Sequence, residues 1–258
     1  MRYSFLGLAA ALLVIAPLAA QQPQAAAPAL DPARNRLDAL LLRWEQEMGK
    51  VQTLAVQCTR TTVDKTFQVT DVFEGTAKYM KPNLAMLEMQ KKDKPQVFEK
   101  YVCSGAFLYE YAPQTREVRV HELPGPKPGQ AEGDNFLSFI FGMKAEEAKR
   151  RYDLQLVKED QWYVYLEIKP RLPADKADFQ KARLVLNNQT FLPRELWFEQ
   201  PNGNEVKWDL PRVDNGAKLS RVDFTAPATP PGWTMKKVPR LTDVPRADVP
   251  PRVVRPNQ

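Results

Sequence analysis

Histidine is nearly missing from this chain: His121 stands alone among 258 residues. A Ser-His-acid hydrolase would need that one imidazole beside a nucleophile and an acid, and no GxSxG elbow is present to supply the nucleophile. HExxH, a Walker P-loop and a dinucleotide-binding glycine fingerprint are absent as well, and the glycines of residues 125–133 are interrupted by prolines. There are only two cysteines and no CxxC, too few thiolates for a zinc site of the usual kind. Acidic residues are plentiful but spread over strands and turns, where carboxylates are normally solvated. The expectation is a protein that binds without catalysing, with no catalytic residue, no cofactor and no metal.

Long apolar runs are scarce too. The one near the start, residues 5–15, follows Arg2 and ends at Pro17 and the small-residue exit Leu18-Ala19-Ala20. A membrane-spanning helix needs about 20 apolar residues, so this shorter run reads as a cleaved secretory signal peptide over 1–20. The mature chain is expected to begin near Gln21, with Ala29 a second site, and an Ala/Pro linker covers 21–32. No cysteine follows the apolar run, so the mature protein is expected to be periplasmic, not itself N-acylated, with peripheral or no membrane association.

The formal charge is +6 and the pI near 9.2. Much of the excess sits in Lys91, Lys92 and Lys94 and in Arg240, Arg246, Arg252 and Arg255, and aromatic and basic residues do not alternate as in a nucleic-acid motif, so no nucleic-acid partner is expected. In an oxidising compartment Cys58 and Cys103 have two open readings, a disulfide or two separate buried thiols. Sequence spacing does not decide between them, because a bridge depends on the Cα separation.

Asp31 as cap, Pro32 at the first helical position and the apolar spacing of Leu37, Leu40, Leu41, Trp44 and Met48 predict a helix that Gly49 stops. Strand-like runs follow at 53–63, 67–80, 84–90, 97–103, 106–111, 116–121, 152–157, 162–168, 182–187, 191–199, 204–210 and 221–225. Short turns such as Ser104-Gly105, Asn187-Asn188 and Asn202-Gly203 separate them, which argues for an antiparallel meander. A Pro/Gly loop then leads into an apolar insert, 136–141, and a polar helix-forming run, 144–151. So many strands in one sheet must curl, and curling around helices makes a concave apolar interior. From Val238 to the end the Pro/Arg-rich chain reads as extended tail. In residues 80–89 either strand parity carries at least two hydrophobes, as if both faces of that strand were covered or one lined a cavity.

Taken in order, the helix ending near Met48, Thr53-Leu54 with Cys58-Thr59-Arg60, and residues 75–84 and 104–113 resemble the periplasmic lipoprotein carriers of the LolA family. The later half keeps the same order in Asn135-Phe136-Leu137, Arg151-Tyr152, Ile168-Lys169-Pro170, Pro201-Asn202-Gly203-Asn204, and Val222-Asp223-Phe224 before Pro231-Gly232-Trp233. The resemblance covers about residues 33–236 and is nearest to an exported family of planctomycete type with no assigned activity. It implies an α+β domain over 33–237: a single strongly curved antiparallel sheet, an incomplete β-barrel, with an N-terminal helix and a helical lid insert.

The implied cavity would hold acyl chains of lipid or of a lipoprotein. Its lining would come from Trp44 on the helix, from Val56, Cys58, Tyr79 and Tyr109, and from Ala85, Leu87 and Met89 on the strand after the Lys81-Pro82-Asn83 turn. Phe136, Phe139 and Ile140 would cover it from the lid. The family's latch arginine falls on Lys81, which offers a point charge without the planar fork, and its aromatic pair falls on Ala85 and Leu87. The resemblance also permits a different class of function, an envelope sensor or scaffold that binds a protein partner.

Overall fold

Extended residues punctuated by tight turns form one twelve-stranded sheet, here in a computed structural model that describes residues 29–123, 144–225 and 228–238. The expected signal peptide, most of the expected linker, the 136–141 insert and nearly all of the expected tail lie outside those residues. Helix α1 (Arg36–Lys50) comes first. Its cap is Asn35, not Asp31: the Asn35 side chain accepts from the N–H groups of Leu37 and Asp38, while Asp31 opens the preceding turn and accepts from the N–H of Asn35 at 2.8 Å. Gly49 does not end the helix; the backbone turns extended at Val51.

The strands follow as β1 (Thr53–Asp64), β2 (Val69–Met80), β3 (Leu84–Lys91), β4 (Lys94–Ser104), β5 (Phe107–Ala112) and β6 (Glu117–Glu122). The polar run folds as α2 (Ala145–Arg151), ahead of β7 (Tyr152–Glu159) and β8 (Tyr163–Pro170). A short helix, α3 (Pro173–Asp178), precedes β9 (Lys181–Asn187), β10 (Pro193–Glu199) and β11 (Glu205–Asn215). The stretch 221–225, expected as strand, is instead a 3-10 turn over Arg221–Phe224. Ser220 and Asp223 form a reciprocal capping box there, which favours a helical start over a strand. An unexpected strand, β12 (Thr234–Val238), closes the described chain.

The order across the sheet is β12-β6-β5-β4-β3-β2-β1-β11-β10-β9-β8-β7. Strands β1 to β11 therefore run in cyclic sequence, joined where β1 pairs with β11 and left open between β6 and β7. That is a meander bent into an unclosed barrel, antiparallel at every pairing except β12 on β6. The largest core lies between α1 and the inner face: Leu40, Leu41, Trp44 and Met48 pack on Leu54, Leu166, Leu184 and Leu196. Two ties fix α2 on α1. Glu45 accepts the N–H of Ala145 at 2.9 Å, and Lys149 donates to the buried Asp38 at 2.8 Å.

Candidate functional site

The register identifies which side chains share the inner face. Leu54, packed under α1, pairs across to Tyr79, Ala85, Cys103, Leu108 and His121 in turn. The next level down reads Val56, Ala77, Leu87, Tyr101, Glu110 and Arg119, and the third reads Cys58, Gly75, Met89 and Glu99. On β1 to β3 the first two levels are apolar; towards β6 the same levels become polar.

Below the second level a side-chain tie spans the inner face of the curled sheet. Arg60 on β1 donates to both carboxylate oxygens of Glu99 on β4, at 2.8 and 2.6 Å, and its guanidinium lies over the rings of Phe73 and Trp208. On a flat sheet β1 and β4 would stand about 14 Å apart, three strand spacings, so this chord measures the curl. Gly75 makes the curl possible, because a Cβ there would sit 1.9 Å from the Glu88 carbonyl oxygen. At the levels of the chord Cys58, Phe73 and Met89 form a separate buried core, with Met89 fully buried and the Cys58 Sγ 3.4 Å from its Sδ. Burial pushes the Cys58 thiol up to about 11.

Above the chord the wall is different. Val56, Ala77, Tyr79, Ala85 and Leu87 are only half-buried, although they continue the surface on which α1 packs. Lys81, at the rim, donates to the Gly49 carbonyl at 2.5 Å in the last turn of α1, where a cation suits the exposed carbonyls and the dipole. The far side of the inner face is charged: Glu110 meets His121 Nε2 at 2.9 Å and accepts from Arg119 at 3.4 Å. Tyr101 is held above the ordinary phenol range, first by burial and then by Glu99 and Glu110. Among the described residues no group of three His, Cys, Asp or Glu side chains could hold a metal ion.

The model of the outer membrane lipoprotein carrier protein LolA matches residues 49–227. This chain belongs to the LolA family. An uncharacterized conserved protein from Thermus thermophilus shares the fold at 10% identity and a TM-score of 0.51, covering 79% of this chain and 100% of its own. LprF from Mycobacterium bovis (12% identity, 78% of this chain and 100% of its own, TM-score 0.42) is a fainter likeness. So is the Pseudomonas aeruginosa MucA/MucB complex (14%, 75% and 62%, TM-score 0.41), and neither carries any weight on function. No curated protein sequence matches the chain. The LolA family is one of envelope carrier and binding proteins, and among the described residues no helix is long and apolar enough to cross a membrane.

Of the residues expected to line a LolA-type cavity, Val56, Tyr79, Ala85 and Leu87 come together on the open wall. Trp44, Cys58 and Met89 share that face but are consumed by core packing. Tyr109 is on the wrong side: it pairs with Val102 and Val120 on the outer face, in a second core with Tyr111, Val118 and Trp233. Phe136, Phe139 and Ile140 lie outside the described residues. The disulfide does not form. Both thiols are free, Cys58 on β1 and Cys103 on β4, and Cys103 stands four residues along the strand from the level of Cys58, with its Sγ donating to the Asn83 carbonyl at 3.1 Å. Sequence reasoning missed the Arg60–Glu99 chord, although alternation from Leu54 through Val56 and Cys58 already aims Arg60 inward.

Proposed function

We propose that this LolA-family chain is an exported periplasmic carrier or binding module that holds acyl chains, of lipid or of a lipidated protein, against the inner wall formed by Val56, Ala77, Tyr79, Ala85 and Leu87. One observation carries the reading. An apolar surface continuous with the α1 core stays half-exposed on the inner face of a curled sheet, bounded below by the Arg60–Glu99 chord. A contiguous apolar patch of that kind marks a binding surface. Lys81, which ties α1 to the rim, is the latch of this arrangement and acts on α1.

Uptake of a fluorescent fatty acid tests it, on protein recovered from the periplasmic fraction, whose first residue should lie near Gln21. Leu87→Glu should abolish uptake while lowering the melting temperature only slightly. The new carboxylate reaches water when the wall is empty, but beside an acyl chain it is buried unpaired at a cost of about 2 kcal/mol or more. Wild-type protein that takes up no probe, or a Leu87→Glu variant that simply unfolds, makes the wall ordinary core. Native mass spectrometry that finds a stoichiometric protein and no acyl ligand moves the assignment to a scaffold.

A further inference from the structure

Strand β12 differs from the eleven others. It alone pairs in parallel, it lies beyond residue 227 where the family match ends, and Thr234, Met235, Lys236 and Lys237 are all exposed. Its anchor is the residue before it: Trp233 stacks on Phe98 with ring centroids 6.2 Å apart and leans on Tyr111 at 5.9 Å. The rest is a five-residue ladder from Thr234 beside Glu117 to Val238 beside His121, a hydrogen bond from the Thr234 N–H to the Arg116 carbonyl, and two loose ion pairs. Lys236 stands 3.7 Å from Glu117 and Lys237 3.6 Å from Glu122, with both lysines mostly in water. Exposed pairs of that kind stabilise little, and a parallel ladder is slightly weaker per residue than an antiparallel one.

Without β12, the edge of β6 is a row of backbone groups preceded by an aromatic slot, Phe98 and Tyr111 over the buried Val118, and flanked by the carboxylates of Glu117 and Glu122. We propose that this edge is a docking site for an extended basic segment of a partner protein, with an aromatic residue three positions ahead of a lysine, and that β12 is the chain's own occupant of it. The resident segment shows what fits: a strand added to an exposed edge, an aromatic anchor, and lysines that stand beside Arg119 and Val120 in the register and reach diagonally to Glu117 and Glu122. A second copy's β12 brings the same contacts without the tether, and loses to the tethered strand, whose effective concentration is in the millimolar range. A foreign segment gains where the contacts of β12 are loosest, at the exposed Met235 and at the ion pairs of 3.7 and 3.6 Å that Lys236 and Lys237 make.

The test uses the full chain and a labelled peptide of residues 230–238, followed by fluorescence anisotropy. Trp233→Ala empties the slot and should bind the peptide at least tenfold more tightly than wild type. Adding Glu117→Lys and Glu122→Lys on that background should remove the gain. Equal binding by wild type and Trp233→Ala, or a gain that survives the charge reversal, overturns the proposal. A concentration-dependent dimer in an equimolar mixture of Trp233→Ala with wild type, without peptide, assigns the edge to a second copy and overturns it as well. Should Trp233→Ala fail to fold, Lys236→Glu with Lys237→Glu repels the resident strand through exposed side chains alone. That variant should gain at least threefold, and no gain there is equally fatal.

Discussion

Cys58 and Cys103 share a face of the sheet and cannot meet, which shows how far counting in twos along a strand reaches. Alternation from Leu54 correctly turns Cys58 inward, and the pairing of Ala85 with Cys103 turns Cys103 inward too. Alternation says nothing about how many strands or how many levels separate them, and that decides whether a bridge exists. Tyr109 shows the converse. The alternation Phe107, Tyr109, Tyr111 marks an apolar face, but this sheet has apolar cover on both sides, and only the partner Trp233, remote in sequence, reveals which. The same double cover explains the apolar residues at both parities in β3: Met86 packs outward with Trp233's cluster while Ala85 and Leu87 face in. Unfolded, unreduced protein should therefore titrate two thiols. In the folded state Cys103 should react with a thiol reagent far faster than Cys58, which at pH 8 is thiolate in only about one molecule in a thousand. One thiol or none in the unfolded count, or equal native rates, contradicts the two separate environments.

Elements were legible where turn chemistry marks their ends, and less so where capping competes. The hairpins at Ser104-Gly105 and Asn202-Gly203 fall where expected, with Gly105 and Gly203 at positive φ as their turns require. Asp31-Pro32 imitates a helix start, yet Asn35 is the residue whose side chain reaches the first free N–H groups. Strand β12 was invisible because its run of Thr, Met and Lys has no alternation to betray it; an edge strand with one anchored neighbour needs none. The docking of α1 carries its own pH dependence. Arg36 donates to both oxygens of Glu159 and holds that carboxyl below its ordinary value of 4.5, against the opposing pull of burial. A carboxyl whose folded value is lowered contributes fully above 4.5, and the contribution fades as pH falls through the folded value. Glu159→Gln should thus melt about 1–2 °C below wild type at pH 6, and the gap should narrow as the pH is taken progressively below 4.5. A gap that stays constant over that range means that the ion pair is not its source.

At the scale of the molecule, composition and turn spacing announced a curled antiparallel sheet, but the tightness of the curl hangs on one position. Gly75 lies where a Cβ would meet the Glu88 carbonyl oxygen at 1.9 Å and the Met89 Cα at 2.8 Å, so the obstruction is backbone and cannot swing aside. Gly75→Val should separate β2 from β3, pull Glu99 away from Arg60, and lower stability by about 3 kcal/mol. A denaturation midpoint unchanged from wild type shows instead that the sheet can flatten there at no cost.

The join between β1 and β11 bears on how such a chain comes to be folded at all. Thr53 donates its hydroxyl hydrogen to the carbonyl of Ala217, 164 residues away, and β1 is zipped to β11 from Leu54 beside Asn215 to Val63 beside Glu205, with one irregularity between Gln57 and Thr59. Contacts so distant along the chain are slow to form, because the intervening loop must be closed before any pairing repays it. As such a chain is made from its N-terminus, β1 emerges early and keeps one edge bare until nearly all the rest has followed. During that interval the molecule presents an unpaired strand beside a half-built apolar wall, the state most open to capture or aggregation. The ring order that gives the finished protein its wall thus makes its time of assembly the time of its greatest exposure.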